Sequence, residues 1–389
     1  MTLHSRRIAR MAAAAACFFS VNAFATEDSA ALRAMVDAVI RPLMAQQDVP
    51  GVAVGIAING KSYVFNYGVA SKEDSIPVDD ATMFELGSIS KTMAATLGSY
   101  AQVTGKLSLN DHPGKYMAQL KGTAIDKASL LNLATYTAGG LPQQFPDGVV
   151  DAQMVGYFQQ WKPDAEPGRQ RRYSNPSLGL FGHLVALAMK GDYADLMTSH
   201  VFAPLGFTGS YIKVPPAAMR NYAWGYDAKN AQVRMKAVVL SVPTYGVVST
   251  ASDMLRLVQA NIDPSPLAAP MRRAIEGTHV GYFSVGPMVQ GLGWEQYPYP
   301  LPLATLVAGN SPAMNWEPNR AQQIKAPQTP RRTVLFSKTG GTRGFNSYVA
   351  FVPDTKIGVV ILANKSYEMK ARITAGHAIL EQLSLKTGH

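Results

Sequence analysis

The feature that most restricts the fold is the position of the strand-forming segments, which lie at the two ends of the chain with a helical stretch between them. Near the start, Gly51–Ile58 and Lys61–Val69 read as strands joined by Asn59-Gly60, the dipeptide best suited to a two-residue hairpin turn. Near the end, Arg332–Ser337, Phe345–Val352 and Lys356–Ala363 are apolar and β-branched, and Pro353-Asp354 makes a turn between the last two. Helical spacing of Leu32, Met35, Val36, Val39, Ile40, Leu43 and Met44 predicts a helix over Ser29–Gln47. A second helix is expected from near Ser88 to about Val103, and an amphipathic closing helix over Lys370–Leu383. Residues 105–200 read as largely helical, broken at Gly139-Gly140 and Pro163–Gly168. Tyr297–Pro330 holds seven of the 25 prolines and reads as irregular surface chain rather than helix. The expected class is α/β (α+β): an antiparallel sheet flanked by helices, built from N- and C-terminal segments, with an inserted, mainly helical domain. The boundaries that follow are 26–104 with 201–389 for the sheet domain and 105–200 for the helical one.

Residues 1–25 read as a secretory signal. Arg6, Arg7 and Arg10 precede an apolar stretch from Met11 to about Val21, and Ala23-Phe24-Ala25 is a cleavage site. A cut after Ala25 and export to a bacterial periplasm are expected; acylation at Cys17 is the rival reading. Cys17 is the single cysteine, so the cut chain has no thiol for a disulfide, an iron–sulfur cluster, a zinc site or a nucleophile. No later segment reaches 18 uninterrupted apolar residues, which argues against a membrane span and against stable membrane association. The net charge of +10 comes from scattered basic residues, the densest run being Arg169, Arg171 and Arg172. Aromatics do not interleave with them, so a nucleic-acid partner is not indicated. The seven histidines are equally scattered; His279 reads as structural, and neither a metal nor a cofactor is expected.

Three short motifs could carry chemistry. Ser88-Ile89-Ser90-Lys91 stands at a helix start, where residues three apart share a face and the positive helix end favours a developing alkoxide. A plain helix cap is the alternative for Ser88, and a second S-x-x-K, Ser210-Tyr211-Ile212-Lys213, sits in turn chemistry. Tyr173-Ser174-Asn175 follows Pro167-Gly168 and enters a helix-like run. A tyrosine near a lysine can have its phenol pKa lowered and act as a general base; the alternatives are a capping turn here, or Ser108-Leu109-Asn110 as the S-x-N element. Lys338-Thr339-Gly340 ends a strand, with Gly341 and Gly344 leaving room for close substrate approach, and its double Lys386-Thr387-Gly388 lies at the frayed C-terminus. Each motif alone is weak, but the ordered set, on a helix, a loop and a strand, is specific.

With these motifs the chain resembles the class C β-lactamases of the serine penicillin-recognising family. The likeness extends to the runs Leu133–Pro142, Asn221–Tyr226, Gln290–Glu295 and Leu362–Lys365. It implies Ser88 as nucleophile, with Lys91 and Tyr173 as its proton-transfer pair. It also implies that Asn175 and Gln144 hold the substrate's side-chain amide, that Lys338 and Thr339 hold its carboxylate, and that Tyr245 lines the pocket. The backbone N–H groups of Ser88 and Gly341 would form the oxyanion hole. The implied substrate is a small-molecule β-lactam, with a lean to cephalosporins, and the family's habit is monomeric. No Glu-x-x-Leu-Asn signature is present, so activation of the hydrolytic water falls to groups such as Tyr173. Four positions depart from the family pattern: Ser241, Ser337, Arg343 and Met369. The competing readings are an esterase or D-amino-acid peptidase on the same fold, and a penicillin-binding protein that acylates without turnover.

Overall fold

In the hairpin formed by β1 (Gly51–Ile58) and β2 (Lys61–Ser71), both turn residues have positive φ, 49° at Asn59 and 78° at Gly60, as the dipeptide demands. The computed structural model describes residues 29–327, 329 and 333–387. The expected signal segment 1–25, and also Arg332 and Gly388, lie outside the described residues. Seven further strands follow Ile76–Pro77 (β3): β4 (Gly281–Val285), β5 (Met288–Gly291), β6 (Glu295–Pro298), β7 (Gln322–Gln323), β8 (Val334–Gly341), β9 (Asn346–Val352) and β10 (Ile357–Ala363). All ten form one antiparallel sheet in the order β7-β4-β5-β6-β8-β9-β10-β1-β2-β3. β1 is the seam between the chain ends, paired with β2 on one side and with β10 on the other, from Val52↔Ala363 to Ile58↔Ile357.

β9 and β10 are buried at every residue, which explains their unbroken apolar sequence: helices cover both faces of the sheet's centre. The helices used below are α1 (29–47), α2 (Ser90–Val103), α3 (Asn175–Met189), α4 (Ala251–Ile262), α5 (Ala269–Thr278) and α6 (Met369–Thr387). α4 rests on the face that carries Gly55 and Gly358, where an added Cβ would come within 2.7 Å of Leu255 and 2.5 Å of Val258. α6 covers the opposite face and brings Gly376 against the Tyr348 ring. α2 is buried along nearly its whole length, because α3 and α5 pack around it. One apolar cluster includes Val359 of the sheet, Leu97 of α2, and Leu120 and Phe158 from the stretch between α2 and α3.

Two expectations need correction. Residues 105–200 are only partly helical: outside α3, α-helix is confined to Leu130–Ala134, Met154–Gln160 and Tyr193–Met197. Much of the remainder up to residue 130 is single 3₁₀ turns tied by side chains, as where Asp126 accepts from the N–H groups of Gly114 and Gly122. Apolar residues that point into a core from successive turns mimic helical spacing. Conversely, Tyr297–Pro330 contains two helices, Leu303–Gly309 and Pro312–Trp316. Its prolines start helices instead of preventing them: Pro302 is an N-cap and Pro312 occupies the first turn, where no N–H is needed.

Candidate active site

Ser88 sits in a 3₁₀ turn, Gly87–Ile89, that runs directly into α2. The residue at the cap position of α2 is Ile89, and no side chain caps it, so the capping explanation for Ser88 does not hold. Gly87 has φ of +54° and lies so close to β8 that an added Cβ would be 2.3 Å from the Gly341 nitrogen. Gly340 is pressed equally hard on the Leu86 carbonyl, to which Ser347 Oγ also donates at 2.6 Å. Glycine on both sides is what lets the Ser88 turn and the end of β8 meet backbone to backbone.

One helical turn on, Lys91 folds back over Ser88. Its Nζ donates to Ser88 Oγ at 2.8 Å and to the Thr244 carbonyl at 2.8 Å. The side chain is fully buried and forms no ion pair with a carboxylate among the described residues. Desolvation therefore brings the Lys91 pKa down to about 8, and Lys338 adds repulsion while Tyr173 opposes the shift.

Tyr173 immediately precedes the Ser174 cap of α3: Ser174 Oγ accepts from the Ser177 N–H at 3.0 Å, which leaves the Tyr173 ring to face the site. Lys91 and Lys338 lie over that ring, with Nζ 5.3 and 5.1 Å from its centre, and the Arg171 guanidinium is at 5.6 Å. Burial raises the phenol's pKa, but Lys338 and Lys91 outweigh it and the net direction is down. The hydroxyl has no hydrogen-bond partner among the described residues, and neither does Asn175 Oδ1. The Asn175 N–H bonds to the Gln143 carbonyl at 2.9 Å, tying the start of α3 to the Gln143-Gln144 segment.

Lys338, unlike Lys91, is ion-paired: Nζ donates to Glu295 Oε1 at 3.1 Å, and both groups are buried. β6 and β8 place Glu295 opposite Ser337, the chain neighbour of Lys338. Arg171 approaches the same oxygen at 3.7 Å, donates to Gln290 Oε1 at 2.7 Å, and lies over Tyr136. Tyr136 stacks on Tyr173 with ring centres 4.8 Å apart and has φ of +62°, uncommon for a bulky residue. Glu295, Arg171 and Tyr136 were not predicted as site residues. Glu295 and Tyr136 lie in runs that carry the family likeness and Arg171 in the densest basic run, but nothing local marks a residue as buried beside a lysine.

A cavity of about 980 Å³ opens over these groups. Ser88, Gln144, Tyr173, Asn175, Tyr245 and Gly341 line it, together with Trp224, the 232–236 segment and Arg343. Lys91, Lys338 and Thr339 are buried next to it and do not form its wall. All nine predicted site residues thus come together from five separate parts of the chain. The decoys do not. Ser210 Oγ is held by Ser249 Oγ and Asp253 Oδ2, both at 2.8 Å. Ser108 and Asn110 close their own turn, and the Thr387 hydroxyl donates back to Leu383 within α6.

The departures have local explanations. Ser241 Oγ accepts from the Val238 N–H at 3.0 Å, so the Ser241 turn satisfies itself. Arg343 pairs with Asp227 at 2.9 Å. Met369 Sδ meets Asn315 Nδ2 at 3.7 Å, and Ser337 Oγ is buried without a hydrogen-bond partner among the described residues. His279 is half-buried against Phe336 and bonds Asn261; desolvation pushes its pKa down to about 4, so it is neutral and structural. Among the described residues no three His, Cys, Asp or Glu side chains are grouped to hold a metal ion.

A serine hydroxyl bonded to a buried amine of lowered pKa, beside a phenol of lowered pKa, is equipped for nucleophilic acyl transfer. The sequence model of the beta-lactamase family matches residues 36–384. A beta-lactamase of Pseudomonas fluorescens is 46% identical over 353 residues, covering 90% of this chain and 99% of its own. A class C beta-lactamase solved in complex with cefoxitin is 42% identical with a TM-score of 0.88, over 91% of this chain and 99% of its own. A structure described as a D-alanine carboxypeptidase from Burkholderia cenocepacia is 46% identical with a TM-score of 0.86, over 90% of this chain and 99% of its own.

Proposed function

The chain belongs to the beta-lactamase family as a class C enzyme that hydrolyses β-lactams, and from that premise we propose how its own residues divide the work. Ser88 Oγ attacks the lactam carbonyl and its proton passes to Lys91. With a pKa of about 8, about a tenth of Lys91 is neutral at pH 7 and ready to accept it. The oxyanion lies between the Ser88 and Gly341 N–H groups. Collapse breaks the carbonyl–nitrogen bond, and Tyr173 delivers the proton to the departing ring nitrogen. In the second half Tyr173 takes a proton from water, the water oxygen attacks the acyl carbon, and collapse breaks the bond from that carbon to Ser88 Oγ, which recovers its proton from Lys91. Asn175 and Gln144 hold the side-chain amide, Tyr245 forms a wall, and Lys338 with Thr339 holds the carboxylate. The preference for cephalosporins goes with class C membership.

The observation that carries this reading is the 2.8 Å bond between Ser88 and a buried lysine that no carboxylate neutralises. The test is hydrolysis of a chromogenic cephalosporin by residues 26–389 and by Ser88→Ala, with intact-protein mass at short times. Turnover with a transient adduct, both lost in the variant, is expected. A lasting adduct without turnover would instead make this a penicillin-binding protein. A second reading, a D-alanine carboxypeptidase, is favoured by the Burkholderia relative; release of D-alanine from a peptide ending in D-alanyl-D-alanine would establish it. The enzyme acts as an exported, periplasmic monomer cut after Ala25, without nucleic acid or stable membrane association. Its division is a sheet domain, 26–104 with 201–389, and an inserted, partly helical domain, 105–200. Among the described residues no helix is long and apolar enough to cross a membrane.

A further inference from the structure

The amide-holding pair Gln144 and Asn175 opens onto two spaces. One, about 310 Å³, is walled by Phe145, Pro146, Val149, Val238 and Tyr245, with Asp147 at its side. The other is the main cavity itself, whose lining also includes Arg234, Lys236 and Arg343 and, among the described residues, no carboxylate. The turn after β8 and the 225–233 hairpin build this wall jointly. The Tyr226 N–H bonds to the Gly344 carbonyl at 3.1 Å, and Gly344 packs on Val233.

The three cations are not equivalent. Arg234 is half-buried between the Tyr222 and Trp224 rings, donates to the Tyr222 and Ala223 carbonyls, and feels buried Glu85. Its charge is therefore already answered. Arg343 donates to Asp227 Oδ2 at 2.9 Å, while Asp227 Oδ1 is taken by the N–H groups of Lys229 and Ala231. That clamp holds Arg343 at the wall with 77% of its side chain still exposed. Lys236 is exposed and forms no ion pair among the described residues. The lining that includes Gln144 and Asn175 thus also carries one cation without an ion pair among the described residues, Lys236, and the exposed, Asp227-held guanidinium of Arg343.

We propose that this wall reads the charge of the acyl side chain: Lys236 and Arg343 favour β-lactams whose acyl group bears a carboxylate beyond the amide. The inference rests on the placement of that amide at Asn175 and Gln144. Two cephalosporins identical except for the side chain, glutaryl against pentanoyl, isolate the charge. The quantity read is the ratio of their kcat/KM values, so general damage to the enzyme cancels. Exposed ion pairs being weak, the ratio is expected to fall about threefold in Lys236→Gln and about tenfold in Lys236→Gln/Arg343→Gln. In the wild type it is expected to fall similarly in about 0.5 M salt, where the Debye length is under 5 Å. A ratio unchanged in the double variant, with the pentanoyl substrate still turned over, overturns this inference alone. A wild type that turns over neither substrate overturns the hydrolase reading itself, and this inference with it.

Discussion

The chain contains the pattern S-x-x-K twice, and the two copies share almost nothing in space. In the first, Ser88 and Lys91 are one helical turn apart, and the lysine folds back onto the serine at 2.8 Å inside the protein. In the second, Ser210 and Lys213 lie on non-helical chain bridged at Tyr211 to Val248, and Lys213 is exposed. Residues three apart meet on a helix and diverge on extended chain. The Ser210 hydroxyl is instead spent on Ser249 and Asp253. The spacing carries chemistry only where a helix begins and where burial strips water from the amine. Lys338 makes the second condition plain: it is equally buried, but Glu295 pairs with it.

The comparison breaks most sharply at Lys91. Lys91→Arg keeps a cation and removes a base, so kcat for a chromogenic cephalosporin should drop on the order of 10³-fold, while Lys213→Arg should leave it within experimental error. Next is the pairing that distinguishes Lys338. Glu295→Gln leaves Lys338 and Arg171 buried without a carboxylate, and thermal or urea unfolding should register a loss of about 3–5 kcal/mol.

The pH dependence sharpens the contrast further. Lys91 must be neutral to accept the serine's proton, so acylation should rise with pH and level off above about 8. Pre-steady-state rates across that range check it, and Lys91→Arg should remove the limb. The same shift has a stability counterpart of fixed sign. The unfolded lysine titrates near 10.5 and the folded one near 8, so between these values the unfolded chain binds the extra proton. This group's contribution therefore makes the folded state more stable as pH rises from about 8 to 10.5. The smallest effect belongs to the second copy: Ser210→Ala should cost about 1–2 kcal/mol of stability through its lost bonds, with turnover retained.

The sequence by itself determined whatever depends on near neighbours in the chain. The Asn59-Gly60 hairpin, the strand runs at both ends, and the helix that presents Ser88 and Lys91 together all follow from backbone preference and side-chain period. So does the start of α3 after Ser174. The three motifs were legible because each is a few residues long. Where local pattern was the only guide it also misled: apolar residues on successive 3₁₀ turns passed for helix within 105–200, and prolines that begin helices at 302 and 312 passed for breakers. Only the tertiary structure decided the partnerships that set charge. Lys338 meets Glu295 across 43 positions, and Lys91 meets the Thr244 carbonyl across 153. Arg171 and Tyr136 reach Tyr173 through packing that no spacing encodes. A pKa depends on desolvation and on charges a few ångströms away, and both exist only once distant segments have been buried against one another.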